Sequence, residues 1–397
     1  MNNFTINSRV NHSFYAFYPH KVWNQHSIWQ KYLGFITPFY AVKSNPEPLL
    51  IKTLYPHGVN FDCASLQELK LIKNILPKES LLKDCIVYAN PCKSFVDLEY
   101  AKNEIGSPIT VVDSIEEIDK LLEIGYEGGT YVRITTDDSF SKMPFSGKFG
   151  LTLANVKDLG YYAKRKGIEI KGISFHVGSG GNDGKVYYSS IEIAKMLNKG
   201  LQAQGHIANT IDIGGGFLSD ERDFLKKVKY IKDAYDPKFK FIAEPGRFFS
   251  SVSQDFFVKV IGKKGWNNGW RYTIDDSLYG QFSCIPFDHC KPLWMRIPLK
   301  EDSSPRPRTK GLLMGRTCDS VDVIARSESM EELEVGDWLW FPQMGSYTNA
   351  TANEFNGFPK PQALPVYLNT PDIHEFVDRI PFDIKVVEPV SSASLLK

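Results

Sequence analysis

The feature that most constrains this chain is an eightfold alternation of short apolar segments with helix-like segments over its first 250 residues. Leucines and isoleucines at helical spacing mark the intervening segments. Repeated strand–helix units imply a parallel sheet closed into a (β/α)8 TIM barrel. The predicted strands, each ending in a polar or glycine-containing tip, are 36–42, 59–63, 86–90, 109–113, 130–134, 172–177, 210–213 and 240–244.

Two helix-like segments begin with the same capping signature. Ser65 and Ser114 are each followed three residues later by a glutamate, Glu68 and Glu117. This spacing predicts a capping box, in which the serine and glutamate side chains satisfy the first backbone amides reciprocally. Further helices are expected over 155–166 and 188–201.

After about residue 250 the helical periodicity largely disappears. Alternating or aromatic runs, divided by turn residues, predict a mostly β C-terminal domain over 250–397, with residues 1–21 associated with it. The barrel is therefore expected over 22–249. The polar, proline-containing segment 300–309 is expected to be an exposed loop. The predicted strands of this domain are 253–260, 270–274, 310–313, 338–341 and 384–387.

Composition excludes several classes of function. The net charge is +1, and the 47 basic and 46 acidic residues are interspersed, so neither nucleic acid nor a membrane surface is an expected partner. The chain has no apolar run near twenty residues, and its N-terminal segment lacks the apolar region of a secretory signal. The six cysteines show no zinc-like spacing, which predicts reduced thiols, a cytoplasmic location and no metal site.

Polar residues follow the predicted strands at their carboxyl ends, where barrels of this kind carry their chemistry. Lys43 follows the run 36–42 and is badly placed for packing, but a desolvated amine can act as a nucleophile toward carbonyls. A solvated, idle lysine is the alternative at this position. The residues at the predicted tips are Lys43, Asp62, Arg133, His176, Gly214–Gly216 and Glu244.

A phosphate site is predicted at the last two strands. Gly214–Gly216 follow the seventh strand and allow the backbone to approach an anion closely, although a flexible turn is the alternative. The chain has neither nucleotide-binding glycine pattern, which favours a single phosphate, and Arg247 could complete its site. Glu244 either faces a ligand or pairs with a barrel cation, and His176 is either structural or stacks on a flat ring.

A phosphate site, a reactive lysine and a buried carboxylate together suggest pyridoxal 5'-phosphate. Lys43 would hold the cofactor covalently, and Glu244 would partner its pyridinium nitrogen.

Collinear segments between about residues 34 and 360 resemble the eukaryotic-type ornithine decarboxylases, which are pyridoxal-phosphate enzymes of the alanine-racemase-like fold (group IV decarboxylases). So many segments in the same order make a chance match implausible. They are PFYAVKSN (38–45), FDCASLQEL (61–69), IVYANPCK (86–93), RITTDDS (133–139), KFG (148–150), SFHVGSG (174–180), DIGGGF (212–217), AEPGR (243–247), CIPFDH (284–289), CDSVD (318–322), GSYT (345–348) and FNGF (355–358).

The resemblance implies the cofactor-binding roles. Lys43 would carry the cofactor, and Asp62 and Glu68 would support it. Glu244 would keep the ring nitrogen protonated, and His176 would stack on the ring. The remaining residues of the implied cofactor site are Arg133 in the pocket and Ser179, Gly214, Gly215, Gly216, Gly246, Arg247 and Tyr347 around the phosphate.

The resemblance also implies a homodimer with shared active sites. Asp288 and Asp319 would bind the distal ammonium group of a diamino acid, and Phe287 and Phe355 would line the substrate site. Cys318 would return a proton to Cα after carbon dioxide leaves. Cys318 and Asp319 would come from the partner subunit. A second implied contact between subunits joins Lys148 to Asp322.

The implied reaction is the decarboxylation of L-ornithine to putrescine, the entry into polyamine biosynthesis. Phe287 replaces the family's tyrosine, and the connection after Asp288 is short, so lysine or another basic amino acid stays open as the substrate. Diaminopimelate would need a cation where Asp319 lies. Arg316, where the family has proline, is expected to be a solvated loop arginine; the alternative is a cation near the substrate mouth that accommodates an acidic or modified substrate.

An inactive relative of the antizyme-inhibitor kind is the alternative outside enzymes. Such a protein is expected to have lost its reactive lysine and phosphate site, and both persist in this chain.

Overall fold

The computed structural model describes residues 11–77, 81–137, 141, 147–179, 184–297 and 306–366. The chain forms two compact units. One is Val22–Ser250, and the other combines Met1–Lys21 with Ser251–Lys397.

The first unit contains a closed barrel of eight parallel strands, β2 to β9, in chain order. The sheet closes where β9 pairs with β2, with Ile36 opposite Phe241. All eight predicted barrel strands are present, so the predicted (β/α)8 barrel is confirmed. The strands of both units, in chain order, are β1 (Phe14–Phe17), β2 (Ile36–Ala41), β3 (Asn60–Cys63), β4 (Ile86–Tyr88), β5 (Ile109–Val112), β6 (Thr130–Ile134), β7 (Ile170–Phe175), β8 (Thr210–Asp212), β9 (Lys240–Ala243), β10 (Gln254–Trp266), β11 (Gly269–Ile274), β12 (Met295–Arg296), β13 (Arg308–Met314), β14 (Val323–Glu331), β15 (Trp338–Phe341) and β16 (Ala363–Pro365).

Helices connect the barrel strands, and the predicted helices at 155–166 and 188–201 correspond to α7 and α8. The α-helices are α1 (Pro19–Leu33), α2 (Pro48–Leu54), α3 (Leu66–Ile75), α4 (Leu82–Cys85), α5 (Phe95–Tyr100), α6 (Ile115–Glu123), α7 (Leu153–Arg165), α8 (Lys185–Ala203), α9 (Glu221–Ala234), α10 (Arg247–Ser250) and α11 (Cys284–Asp288). Short 3₁₀ turns occur at Val42–Ser44, Tyr55–His57, Ser251–Ser253, Gln281–Ser283 and Phe355–Gly357, and a π-helical turn at Ala101–Ile105.

The predicted capping boxes are half correct. Ser65 caps α3 by accepting a hydrogen bond from the Glu68 amide at 3.3 Å, and the serine before α6 does the same. The reciprocal bonds are wrong. Glu68 accepts from the amide of Ala64 instead, at 2.7 Å, and Glu117 accepts from the amide of Lys93, at 3.3 Å. Glu117 is also drawn away by an ion pair with the Lys93 ammonium group at 3.3 Å.

The second unit is built on a sheet in the order β12-β15-β10-β11-β13-β14, with β1 paired to β10 and β16. This confirms a mostly β second domain. Two details differ from the prediction. Strands β1, β12, β14 and β16 were not predicted, and β13 begins at Arg308, inside the predicted loop 300–309. The predicted strand at 384–387 lies outside the described residues.

Apolar side chains fill both units. A cluster inside the barrel sheet includes Phe39, Val87 and Ile242, which hold the strands whose tips carry the polar residues. A larger cluster in the sheet unit includes Phe256 and Phe341. Among the described residues, no helix combines the length and apolar character needed to span a bilayer.

Candidate active site

Lys43 and Asp62 form an ion pair at the strand tips. Lys43 lies in the 3₁₀ turn after β2, and its Nζ donates a hydrogen bond to Asp62 Oδ2 at 2.9 Å. Asp62, on β3, is fully buried. Its other oxygen, Oδ1, is buried and has no hydrogen-bond partner in the part of the chain that the structure describes. Because a buried unpaired carboxylate oxygen is costly, this site has room for a donor that those residues do not supply.

Glu68 lies behind this ion pair, on the first turn of α3. Burial and the charge of Asp62 raise its pKa to about 7, although a hydrogen bond from the Ala64 amide opposes the shift. The same surroundings raise the pKa of the buried Cys63 thiol well above its usual value. The site therefore contains carboxyl groups of different acidity around a single amine.

Glu244 and Asp212 form a second acidic pair at the tips of β9 and β8. Asp212 is fixed by the Gly214 amide on Oδ1 and by the Ser174 hydroxyl on Oδ2, both at 2.9 Å. Burial raises the pKa of both carboxyl groups. The nearby charges of Asp212 and Asp62 raise the pKa of Glu244 further, and a hydrogen bond joins Glu244 to Asp212. Glu244 is therefore the carboxyl group that holds the proton of the pair.

His176, which follows β7, is held in its neutral form. Burial lowers its pKa well below the usual value, and the charges of Arg133 and Lys43 lower it further. Its Nδ1 accepts the amide hydrogen of Gly178 at 3.0 Å, so the neutral ring carries its proton on Nε2. The Arg133 guanidinium stacks over the Phe149 ring at 5.2 Å. A neutral, flat imidazole at a barrel tip is suited to stacking on an aromatic ligand.

The three glycines after β8 form a tight loop next to His176. Gly214 and Gly216 have φ angles of +64° and +94°, which side chains rarely adopt. A Cβ on Gly215 would lie 2.9 Å from both His176 Nε2 and the Glu244 carbonyl oxygen. No described residue accepts a hydrogen bond from the amides of Gly215 and Gly216. Successive amides without an acceptor in such a loop make a cradle for an anion, which fits a phosphate group.

The other predicted phosphate residues of this unit lie after β7 and β9. Gly246 packs closely against the 3₁₀ turn after β2, because a Cβ on Gly246 would lie 3.0 Å from the Cβ of Ser44. Arg247 begins the short helix α10. Ser179 is partly buried, and its carbonyl accepts a hydrogen bond from the Ser141 hydroxyl at 2.8 Å.

The sheet unit carries a second group of predicted residues around Asp319. The Asp319 carboxylate accepts hydrogen bonds from the Tyr279 hydroxyl and from the Val321 amide, the latter at 3.1 Å. The bond from Tyr279 lowers the pKa of Asp319. The Tyr279 ring lies 4.4 Å from that of Phe355. Asp319 is therefore fixed as a carboxylate that can receive a cation.

Cys318 is exposed, and its amide donates a hydrogen bond to Asn356 Oδ1 at 3.2 Å. Phe287 and Asp288 lie on the last turn of α11, where Phe287 is 63% exposed. Tyr347, the remaining predicted phosphate residue, has a φ angle of +54°.

Two predictions about the segment 315–322 need correction or lose support. Arg316 is not a solvated loop residue: its guanidinium lies 3.9 Å from the Phe358 ring centroid, and its amide bonds the Asp276 carbonyl at 3.1 Å. Asp322 is fully buried and accepts hydrogen bonds from Leu278 and Thr317. The Asp322 carboxylate is therefore buried within this unit, and its implied pair with Lys148 of a second subunit stays a prediction.

Sequence reasoning missed several residues that the structure adds. Asp212 ends β8, two residues before Gly214, and that position at a strand tip was a usable signal. Tyr279 gave none, because its partner is 40 residues away in the chain. Asn356 lies in the segment FNGF, but its contact with Cys318, 38 residues away, gave no sequence signal. No group of three or more potential metal ligands occurs in the described ranges.

Comparison with known proteins agrees with this geometry. The model of the pyridoxal-dependent decarboxylase pyridoxal binding domain matches residues 20–251, and that of the C-terminal sheet domain matches residues 190–345. Ornithine decarboxylase of Caenorhabditis elegans is 34% identical over 90% of this chain and 87% of its own. Antizyme inhibitor 2 of Xenopus laevis is 35% identical over 87% of this chain and 78% of its own.

Among solved structures, the arginine decarboxylase of Paramecium bursaria Chlorella virus is similar, with a TM-score of 0.84 and 33% identity. The match covers 91% of this chain and 97% of the viral one. The anion cradle, the buried acid pair and the tip lysine all fit pyridoxal phosphate, and the family models cover both units. The chain belongs to the pyridoxal-dependent decarboxylases, and its cofactor is pyridoxal 5'-phosphate.

Proposed function

We propose that this protein decarboxylates L-ornithine to putrescine and carbon dioxide. The observation that carries the proposal is the fixed, ionised carboxylate of Asp319 in a chain whose barrel holds a cofactor-binding lysine. Asp319 and Asp288 suit a substrate that ends in a cation, because charge-assisted hydrogen bonds contribute about 1.5–3 kcal/mol each. The named C. elegans relative acts on the same substrate.

The cofactor, when bound, supplies an electron-withdrawing ring that takes up the electron pair left by the departing carboxylate. Lys43 would hold the cofactor through its side-chain amine, and Asp62 would hold that amine in place through the hydrogen bond at 2.9 Å. Glu244 would hold a proton at the ring nitrogen, because burial and the charges of Asp212 and Asp62 raise its pKa. His176 presents a neutral ring to stack on the cofactor.

Cys318 completes the reaction by donating its thiol proton to Cα. We propose that both Cys318 and Asp319 act in the active site of a partner subunit. Cys318 donates the proton there, and Asp319 binds the distal cation of the substrate. Val321, in the same segment, is 64% exposed, and Phe355, whose ring lies 4.4 Å from that of Tyr279, is 40% exposed. Phe287, on α11, is 63% exposed. Exposed apolar residues around functional side chains are typical of a subunit interface.

Product analysis after parallel incubation with ornithine, lysine, arginine and citrulline tests the substrate. Putrescine as the dominant product is expected. Phe287 lies in the segment that would sense substrate length, which makes lysine the competing substrate. Cadaverine as the dominant product would show that lysine is the preferred substrate. Agmatine would match the activity named for the viral structure. If none of the four amino acids yields a product, the proposal is contradicted.

Subunit mixing tests the shared site. Lys43→Ala and Cys318→Ala destroy different halves of the site, so equal mixing should restore about a quarter of wild-type activity through heterodimers with one intact site. Mixing two samples of the same variant is the control and should restore nothing. Absence of restoration after verified subunit exchange would contradict a shared site.

The similarity to antizyme inhibitor 2 supports one alternative, a protein that acts by binding a partner. The intact Lys43–Asp62 ion pair and the glycine loop, where a side chain on Gly215 would lie 2.9 Å from His176 Nε2, favour the enzyme. Visible absorbance of a lysine-bound cofactor, removed in Lys43→Ala, would support the enzyme. Its absence in cofactor-saturated wild-type protein would favour the binding protein.

A further inference from the structure

Two buried side chains hold the glycine loop from behind. The Tyr187 hydroxyl, on α8, donates a hydrogen bond to the Gly215 carbonyl at 2.6 Å. The Lys227 ammonium group, on α9, donates one to the Gly216 carbonyl at 2.9 Å. Tyr187 is fully buried, and Lys227 is 1% exposed. These contacts come from two helices outside the barrel sheet and fall on two successive peptide units.

Lys227 is an unusual residue for such a place. A buried ammonium group is costly unless it is paired, because water no longer solvates the charge. Lys227 is paired with Asp223, one turn earlier on α9, at 2.8 Å, and its remaining donor capacity reaches the glycine loop. An apolar side chain would pack at this position without that cost, so packing alone does not account for the lysine.

The geometry of the peptide group links these contacts to the front of the loop. The C=O and N–H of a trans peptide unit point in opposite directions, and the described residues contain no cis peptide. A donor on the Gly215 carbonyl therefore turns the Gly216 amide away from Tyr187. A donor on the Gly216 carbonyl likewise turns the amide of Phe217 away from Lys227.

Neither of those amides has an acceptor among the residues that the structure describes. Hydrogen bonding at a carbonyl also polarises the N–H of the same unit, and a charged donor does so most strongly. The preceding unit follows the same pattern, since the Gly214 carbonyl accepts from the Glu244 amide at 2.7 Å.

We propose that Lys227 and Tyr187 are positioning residues for the phosphate of the cofactor. They hold the glycine loop with its carbonyls backward and its amides toward the phosphate, and the charged Lys227 donor polarises the peptide unit that carries the Phe217 amide. The inference rests on the glycine loop being the phosphate site.

Two ligands that differ only in phosphate separate this role from general packing. Full-length protein freed of cofactor is titrated with pyridoxal phosphate and with pyridoxal by calorimetry. The variant Lys227→Met with Asp223→Asn removes the charge without leaving its partner buried alone. We expect roughly tenfold weaker binding of pyridoxal phosphate, the loss of one charge-assisted contact, and unchanged binding of pyridoxal. Tyr187→Phe should show the same selectivity with a smaller effect.

The chain offers a matched control on α8. Lys195 also donates to a carboxylate, Glu192 Oε1 at 2.5 Å, and to a carbonyl, that of Ala234 at 3.1 Å. That carbonyl ends α9 and lies outside the glycine loop. Lys195→Met with Glu192→Gln should leave both ligands' affinities unchanged.

Equal weakening of both ligands, or of neither, would overturn the proposal. If the Lys227 double variant does not fold, Tyr187→Phe decides by the same comparison. If the wild-type protein binds pyridoxal phosphate but does not decarboxylate ornithine, the proposed function fails, while a selective loss of pyridoxal phosphate binding in the variants leaves this inference standing. If a variant still decarboxylates ornithine and its affinities for pyridoxal phosphate and pyridoxal change equally or not at all, this inference fails and the proposed function stands.

Discussion

The amide of Cys318 donates a hydrogen bond to Asn356 Oδ1 at 3.2 Å, so the proposed proton donor is held by a residue 38 positions further along the chain. Asn356 itself lies in a left-handed conformation, with a φ angle of +59°. Asparagine tolerates this conformation better than most residues, and its side chain then serves as the acceptor. The relationship joins the CDS and FNGF segments into one structural element.

Asn356→Ala is expected to loosen the Cys318 segment while leaving cofactor binding intact. The substitution removes the acceptor and places alanine at a positive φ angle. We expect a several-fold change in the rate at which iodoacetamide alkylates Cys318. Mass spectrometry of the Cys318 peptide measures this rate. Cys92, which is also exposed but lies in the barrel unit, is the internal control and should react at the wild-type rate. An unchanged rate at Cys318 would contradict the positioning role.

Glu244→Gln is expected to retain the covalently bound cofactor but to lower kcat by at least about 100-fold. Glutamine has no acidic proton to hold at the ring nitrogen, and proton transfer by a positioned group contributes about 10²–10⁴-fold. Single-turnover decarboxylation and the visible spectrum measure the two properties separately.

Glu47→Gln is the control, because Glu47 also has a pKa raised by burial but caps α2 through Leu49. Its turnover should match the wild type. A Glu244→Gln enzyme with turnover close to wild type would contradict the proton-holding role.

The barrel was predictable because a repeating local pattern encodes it. Each buried strand, such as 210–212, is a short β-branched run, and its tip residue follows at once. The position of Lys43, His176 and Glu244 at strand ends follows from that pattern alone, together with the rule that barrel chemistry lies at those ends.

The parts that escaped prediction depend on distant pairing. Strand β14 is amphipathic but contains serines and charged residues, so only its pairing with β13 over Arg308–Met314 makes it a strand. Arg316 reads as a loop residue in isolation, and the ring of Phe358, far along the chain, determines its place. Lys227 belongs to a helical pattern in which a lysine normally faces solvent.

Asp62→Asn is expected to speed the capture of pyridoxal phosphate by cofactor-free protein at pH 7. The ion pair at 2.9 Å favours the ammonium form of Lys43, which is not a nucleophile, so neutralising the partner raises the fraction of free amine. Stopped-flow absorbance follows the capture. Asp119→Asn, on α6 and bonded to Tyr162, provides a carboxylate-to-amide control. A slower or unchanged capture in Asp62→Asn would show that Asp62 acts by orienting the lysine instead.

Glu68→Gln is expected to remove part of the pH dependence of stability in the cofactor-free protein. The pKa of Glu68 is about 7 in the folded chain, above its ordinary value of 4.5. A raised carboxyl pKa means that the folded state binds the proton more tightly. Its stabilising contribution is therefore present below the unfolded pKa and is lost as the pH rises through the folded pKa.

Urea unfolding of the wild type and the variant at pH 5 and pH 8 measures this loss. Glutamine can still accept the Ala64 amide hydrogen through its carbonyl oxygen, so the capping contact is kept. The two proteins should differ little at pH 5, while at pH 8 the variant should be more stable by about 2 kcal/mol, less than the full shift would give. Subtracting the wild-type curve removes contributions from other buried carboxyl groups, such as Asp276. Parallel curves for the two proteins across this range would mean that Glu68 ionises as easily in the folded chain as in the unfolded one.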